Sequence, residues 1–346
     1  MCAAICAACV VPAFVMISAS DYSPTDGDAW DALVAHAPAA TVFHERHFLA
    51  YHGDRFLTTA RWVVFRQSGT VIAVMPMAVL EEDGERVARS PYGGSVGGPV
   101  FSQIGSWRLY EGLVVALVAY LETAGIDRFL ITRAPLAWHP SLDDGFALAL
   151  LAGGFRPLRR ELHSLINLRG PEPWRVSTRV RRSIQRARGA GVRLQHGASL
   201  EPFLDTLQAT FAKHGTAPTH TAQDLAWLRT HRPGEVAVHV ACHDAGPIAG
   251  IAEFQVTKAV RQAFYLTQDP AHRHLQGLSW LLHERIAQAV ADGQAWYDLG
   301  TSTHQQDPRP SILEFKEGFG AIGQWRETFE WHAGTGRDPG ASSTEA

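Results

Sequence analysis

Gly293-Gln294-Ala295-Trp296-Tyr297-Asp298-Leu299 closes a stretch whose apolar positions are Leu278, Leu281, Leu282, Ile286, Ala289 and Val290. The same arrangement stands earlier in the chain. There Leu109, Leu113, Leu117, Tyr120 and Leu121 lead to Gly125 and then to Arg128-Phe129-Leu130-Ile131. The i, i+3/i+4, i+7/i+8 spacing predicts a helix that buries one face, and the apolar run after each glycine predicts a buried strand. These glycines are 168 residues apart. Two further landmarks recur in the same order. Val71-Ile72-Ala73-Val74-Met75-Pro76 is echoed by Pro247-Ile248-Ala249-Gly250-Ile251-Ala252, 176 residues on, and Gly154-Phe155 returns as Gly318-Phe319 after 164. Helix–glycine–strand is common alone, but three landmarks at offsets near half the chain predict an internal duplication. A plain α/β protein with ordinary punctuation is the alternative. Gly154 and Gly318 are each expected to end a short helix in the left-handed conformation.

A chain of 346 residues has room for about two domains. With 46% apolar and 19% charged residues, disorder is excluded and a sizeable core is available. Four cysteines (Cys2, Cys6, Cys9, Cys242) are too few to staple a chain of this size, so a reducing, cytoplasmic setting is the default. The expected plan has an apolar extension at 1–20 without a role in the fold, domains at 21–170 and 171–332, and a disordered tail at 333–346. The joint falls at Gly170-Pro171-Glu172-Pro173, which breaks both helix and strand. The uncharged first twenty residues lack the basic start of a secretory signal, contain Pro12 and meet Asp21 directly. Three readings stay open for them: an over-long translation start, weak membrane targeting, or an iron–sulfur cluster on Cys2-x3-Cys6-x2-Cys9. No stable membrane insertion is expected.

Strand, strand, loop, helix, strand, short helix, Gly-Phe, strand is the order of the GNAT acyltransferase fold. A tandem pair resembles the Fem-type aminoacyl transferases and the related acetyltransferase-like proteins of bacteria, over roughly residues 28–332. The most specific pieces lie in the second half. Arg179-Val180-Arg181-Arg182-Ser183-Ile184-Gln185-Arg186-Ala187-Arg188, then Gly191-Val192, resembles the basic helix that opens their second domain. Tyr297-Asp298-Leu299-Gly300-Thr301-Ser302 and Leu313-Glu314-Phe315-Lys316-Glu317-Gly318-Phe319-Gly320 resemble their terminal signature. Pro91-Tyr92-Gly93-Gly94 is similar to a glycine-bearing segment near their acceptor side.

The resemblance implies an α/β (α+β) class with two GNAT-like domains in tandem, each a mixed central sheet flanked by helices. It also implies two central parallel strands that splay to admit an acyl donor. In the second half these are Arg261–Gln268 and Ala295–Leu299, which puts Thr267, Gln268, Ser302 and Phe315 beside the donor and Tyr92, Gly93 and Arg182 on the acceptor side. Groups at the C-terminal strand ends then face the reacting carbonyl.

Acyl transfer needs a deprotonated nucleophile, a positioned carbonyl and a stabilised oxyanion. Asp298 is a candidate base or ammonium anchor, and equally a polar cap for the next loop. Lys316 has Ala152 as its repeat partner, so its charge exists only in the second copy. It is the leading catalytic candidate, as oxyanion stabiliser or donor-phosphate contact, with a solvated lysine as the bland alternative. Acetyl-CoA users resemble one another in a Gln/Arg-x-x-Gly-x-Gly/Ala helix start that binds pyrophosphate. Here the stretch is Arg273-His274-Leu275-Gln276-Gly277-Leu278-Ser279: Gly277 is in place, while His274 and Ser279 depart. Acyl-CoA and aminoacyl-tRNA therefore both stay open as co-substrate, and no tightly bound cofactor is expected. The acceptor is a small-molecule or peptide-like amine, or a hydroxyl, attacking directly.

The formal charge of −3, from 31 basic and 34 acidic residues, argues against a general nucleic-acid coat or a DNA binder. The charges are unevenly placed. Residues 156–193 hold eleven arginines and two acids, a charge of +9 that leaves −12 for the rest. Arg175, Arg179, Arg182 and Arg186 fall on one helical face, which suits the phosphates of a tRNA or of an anionic acceptor. A solvated face is the alternative, and no RNA-recognition motif accompanies it. Among 17 histidines, the pairs His44/His47, His239/His243 and His272/His274 lack metal-site spacing, so no metal is expected. A competing reading is a catalytically silent double-GNAT protein that binds a small molecule or serves as a scaffold. A monomer is expected, with a homodimer open.

Overall fold

Both helix–glycine–strand units form as their spacing predicts. The computed structural model describes residues 16–170, 174–195, 199–244 and 246–334. The first half runs β1 (Ile17–Asp21), α1 (Gly27–His36), α2 (Arg46–Leu49), β2 (Ala60–Gln67), β3 (Thr70–Glu82), β4 (Glu85–Ser90), β5 (Val100–Phe101), α3 (Trp107–Thr123), β6 (Arg128–Thr132), α4 (Gly145–Ala152) and β7 (Arg156–Asn167). The second half opens with α5 (Thr178–Gly189), β8 (Arg193–Gln195), α6 (Glu201–His214), α7 (Ala222–His231), β9 (Val236–His243) and β10 (Gly246–Thr257). It continues through β11 (Val260–Gln268), α8 (Gly277–Ala291), β12 (Trp296–Thr301), the short β13 (Thr303–His304) and β14 (Asp307–Pro308), α9 (Pro310–Glu317) and β15 (Ile322–His332).

Gly125 and Gly293 turn the chain from α3 and α8 into their strands at φ 62° and 73°, a region that costs a glycine little. The other glycine pair behaves differently. Gly154 is left-handed, but Gly318 stays right-handed at φ −56°. A side chain there would press on Val180 at 2.8 Å, so packing demands the glycine, and Gly320 makes the left-handed turn instead.

All strands except β13 and β14 join one sheet, in the order β1-β2-β3-β4-β6-β15-β7-β12-β11-β10-β9-β8, with β5 on β3. The two halves are therefore fused through an exchange. β7, from the first half of the sequence, pairs antiparallel with β12, while β15, from the second, pairs with β6. The two exchanged strands pair with each other from Ile322/Leu165 to Glu330/Arg156. Division at residue 170 thus separates the sequence but not the sheet. The extension also ends early, because Ile17–Asp21 pairs with β2 and Ile17 packs on α3 at Gly112. Cys2, Cys6, Cys9, Pro171–Pro173 and the tail from 335 lie outside the described residues.

Four apolar clusters hold this sheet, one of them formed by Trp30, Leu33 and Val34 of α1 on Val64 and Val74. Leu113, Leu117 and Leu121 of α3 cover the first half with Phe129 and Trp331 beneath them. On one face of the second half, Val180, Ile184 and Ala187 of α5 and Leu281, Leu282 and Ile286 of α8 pack on Ile251, Tyr297 and Leu299. On its other face Phe203, Leu225 and Phe254 meet Phe43, Phe48, Tyr51 and Trp138 of the first half. Residue parity along β12 decides which side chain sees which layer, because alternate residues face opposite ways. Trp296 and Asp298 look toward the first half, and Tyr297 and Leu299 toward α8.

Candidate active site

β11 and β12 run parallel but pair only at Val260–Gln262 against Trp296–Asp298. Beyond these three pairs β11 continues to Gln268 and β12 to Thr301, so their C-terminal ends part. The matching strands of the first half, β4 and β6, stay paired through Ser90 and Ile131. Their ends are sealed further, since the Gly97 amide donates to the Thr132 carbonyl at 2.8 Å. A side chain at Gly97 would meet the Pro91 nitrogen at 2.4 Å, so the seal lies backbone on backbone. Among the described residues, parallel strands part in the second half and stay paired in the first.

Asp298 stands where this opening begins and is fully buried. Its Oδ1 accepts from the Gly300 amide at 2.5 Å, and its Oδ2 accepts from Trp138 Nε1 at 2.8 Å and His163 Nδ1 at 3.0 Å. Burial pushes the carboxyl pKa up, but His163, the Gly300 amide and the Trp138 indole outweigh it and hold the group below its ordinary value. An ionised carboxylate only accepts, so His163 Nδ1 carries the hydrogen of their shared bond. The other ring nitrogen, Nε2, is buried and has no hydrogen-bond partner among the described residues.

The strand exchange creates this pair. His163 lies on β7, in register with Thr301 of β12, and Trp138 arrives on the turn Leu136–Trp138 of the first half. By the 168-residue offset, Leu130 takes the place of Asp298 in the first half. Sequence reading found Asp298 and missed His163 and Trp138. The available signal was parity: His163 shares its strand face with the core residue Leu165, a polar group at a buried position.

Lys316, the last lysine of the chain, is buried at the end of α9 rather than aimed at open solvent. Its Nζ donates to the Gly300 carbonyl at 2.9 Å and to Thr301 at 2.7 Å. Gly300 has φ 73° and sits where the β7–β12 register shifts between Asp298 and Thr301. Asp298 thus holds an amide of this bulge and Lys316 its two carbonyls. Burial lowers the lysine pKa to about 8, with Asp298 drawing it partly back up.

The other expected donor residues divide. Gly277 opens α8, buried so closely on the sheet that a side chain would meet Ile248 at 2.6 Å. Arg273 and His274 are exposed in the turn just before it, and Gln276 takes φ 58° at the helix start. Phe315 is half-buried against Phe319, 5.2 Å between rings. Gln268 is half-buried at the end of β11, its backbone tied to Thr210. Thr267 and Ser302 turn inward: the Thr267 hydroxyl donates to the Gly250 carbonyl and meets Thr206 at 2.8 Å, and Ser302 pairs with Ser164 at 2.6 Å. Their side chains hold the strands rather than face the opening.

The expected acceptor residues do not come together. Tyr92 packs on Phe56 and His52 in the layer between the halves, and the Gly93 carbonyl there receives Tyr51 Oη and His52 Nε2. Arg182 is exposed on α5, across the sheet in the other layer. The arginine stripe is also shorter than expected, because α5 starts at Thr178 and leaves Arg175 outside it. Arg179, Arg182 and Arg186 remain exposed on the helix, opposite its buried Val180, Ile184 and Ala187. Among the described residues no group of His, Cys, Asp or Glu side chains is placed to hold a metal ion. No helix among them is long and apolar enough to cross a membrane.

Comparison with known proteins agrees with this architecture. Residues 175–316 match the acetyltransferase (GNAT) domain family. No curated protein matches the chain by sequence. Among solved structures, FemX is similar at a TM-score of 0.67 and 12% identity, over 91% of this chain and 97% of that one. A tandem GNAT protein from the clavulanic acid biosynthesis pathway matches at 0.52 and 15%, over 92% and 99%. The C-terminal domain of a putative lysylphosphatidylglycerol synthetase from Agrobacterium fabrum matches at 0.51 and 14%, over 76% and 81%. At these identities the likeness is one of fold, and the fold is that of tandem GNAT proteins, as the sequence resemblance implied.

Proposed function

We propose, from an acetyltransferase (GNAT) domain at residues 175–316, that this chain moves an acyl or aminoacyl group from a donor in the second-half opening to an amine or hydroxyl. The observation that carries this reading is the asymmetry of the two parallel strand pairs: β11 and β12 part after three residue pairs, and β4 and β6 do not. One donor per chain follows. The donor's phosphates would meet the start of α8, where backbone N–H groups and the helix dipole favour an anion. Acyl-CoA and aminoacyl-tRNA both carry such phosphates. The exposed Arg179, Arg182 and Arg186 add cationic surface for the longer donor.

The acceptor approaches from the side of the first half, where Asp298 faces. Both carboxylate oxygens of Asp298 already accept from donors while Nε2 of His163 has none, so Asp298 acts through His163 rather than on substrate. Nε2 of His163 takes the proton as the nucleophile attacks, Asp298 steadies the imidazolium, and as the adduct collapses the bond to the donor's sulfur or oxygen breaks and that atom receives the proton back from Nε2. Lys316 is a positioning residue in this scheme, holding the carbonyls of Gly300 and Thr301 at the strand end. Replacing His163 with glutamine tests the base. Turnover should fall about a hundredfold or more, the usual scale of such catalysis, while donor affinity stays unchanged. Full turnover in His163→Gln would remove the base assignment and leave the donor site standing.

The silent-scaffold reading lacks comparable support, since a buried, unpartnered imidazole beside an open strand pair costs stability and gives a scaffold nothing.

A further inference from the structure

At the opposite ends of β11 and β12 from the opening, the two halves enclose a cleft of about 500 Å³. This lies within the usual range of small-molecule sites, roughly 300–1,000 Å³. Its walls come from the end of α1, from residues 137–140 and from the β10–β11 turn. Pro38, Ala40, Pro140 and Ala259 give them accessible apolar surface, with Trp138 behind.

The charges around the cleft do not cancel. Its two acids, Glu45 and Glu235, are both engaged by Arg232. Among the described residues, two cations have no acidic partner. Lys258 Nζ donates to the Ala35 carbonyl at 2.9 Å, across the two halves. The Arg169 guanidinium makes no hydrogen bond or ion pair among the described residues and lies 5.9 Å from the Trp296 ring centroid. His139 also lines the space, and its Nε2 is buried without a partner. Unpaired cations beside an apolar wall suit a ligand with two unlike ends.

We propose that this cleft binds an anion carrying an apolar body, its charge held by Arg169 and Lys258 and its body laid along Pro38 and Pro140. The site is separate from the donor opening and does not depend on it. It touches the transfer chemistry at one residue, because Trp138 also donates to Asp298.

Calorimetric titration of the full chain with octanoate, with octyl phosphate and with octanol tests this. Saturable 1:1 binding of at least one anion is expected, with octanol about tenfold weaker or worse. The double variant Arg169→Gln/Lys258→Gln, both at exposed positions, should weaken the anion about tenfold or more and leave octanol unchanged. Which anion binds identifies the head group as carboxylate or phosphate. Absence of saturable binding by either anion, octanol binding as tightly, or a double variant equal to the parent would each overturn the assignment.

Discussion

Lys316 makes two demands on the molecule that a pH series can separate. Its folded-state pKa is lowered by burial to about 8 against an ordinary 10.5. At neutral pH the ammonium is charged in both states, and burying it costs stability. That cost fades as pH rises from about 8 toward 10.5, because the folded chain releases its proton first. Activity should move the other way. The neutral amine grips Gly300 and Thr301 less firmly, so turnover should fall with a midpoint near 8, while Lys316→Met loses that alkaline limb with most of its activity. An unchanged pH–rate profile in Lys316→Met would show that the lysine does not position the strand end. Trp138 offers a cleaner probe of the buried carboxylate. Trp138→Phe keeps the ring but removes one donor from Asp298, and urea unfolding should report a loss of about 1–3 kcal/mol.

The helices and strands were legible wherever local periodicity sets them. The apolar stripe of α8, the run into β12 and the glycine between them depend on neighbours in sequence, and each formed as read. The exchange of β7 and β15 depends on pairing between strands far apart in the chain, which periodicity does not encode. For that reason Asp298 could be picked out and its partner could not: His163 and Asp298 are brought together only by the sheet. Lys316 stood out in sequence only because its repeat partner is Ala152; its burial and its backbone bonds needed the fold. The glycine at 318 shows the same limit, since its reason is the Val180 side chain of another helix. α8 carries a further buried tie. Glu253, with Arg285 at 3.0 Å and Tyr297 at 2.5 Å, fastens the helix to β10 and β12 and keeps its start at the opening.

Taken as one molecule, the chain keeps several histidines buried and neutral, and one of them, His220, meets Tyr51 of the other half. His44, His52, His139 and His220 all have pKa values lowered by burial to about 4, from an ordinary 6.5. Between those values the unfolded chain binds protons that the folded chain refuses, so stability falls as pH drops through this window. Urea midpoints measured at pH 7 and pH 5 should differ clearly, with up to about four protons taken up on unfolding at the lower pH. Equal midpoints would mean that these rings are protonated in the folded state. The charges are placed unevenly at the same scale: nearly neutral overall, yet with an arginine-bearing helix packed on α8, whose first turn stands at the proposed donor site.

Equilibrium titration of the chain with acetyl-CoA and, in parallel, with aminoacyl-tRNA reaches the central claim most directly. One of these donors should bind with a stoichiometry of one per chain. Gly277→Ala, which pushes α8 off Ile248, should weaken binding about tenfold or more. Two donors per chain, no binding of either, or an unaffected Gly277→Ala would contradict a single donor site between β11 and β12.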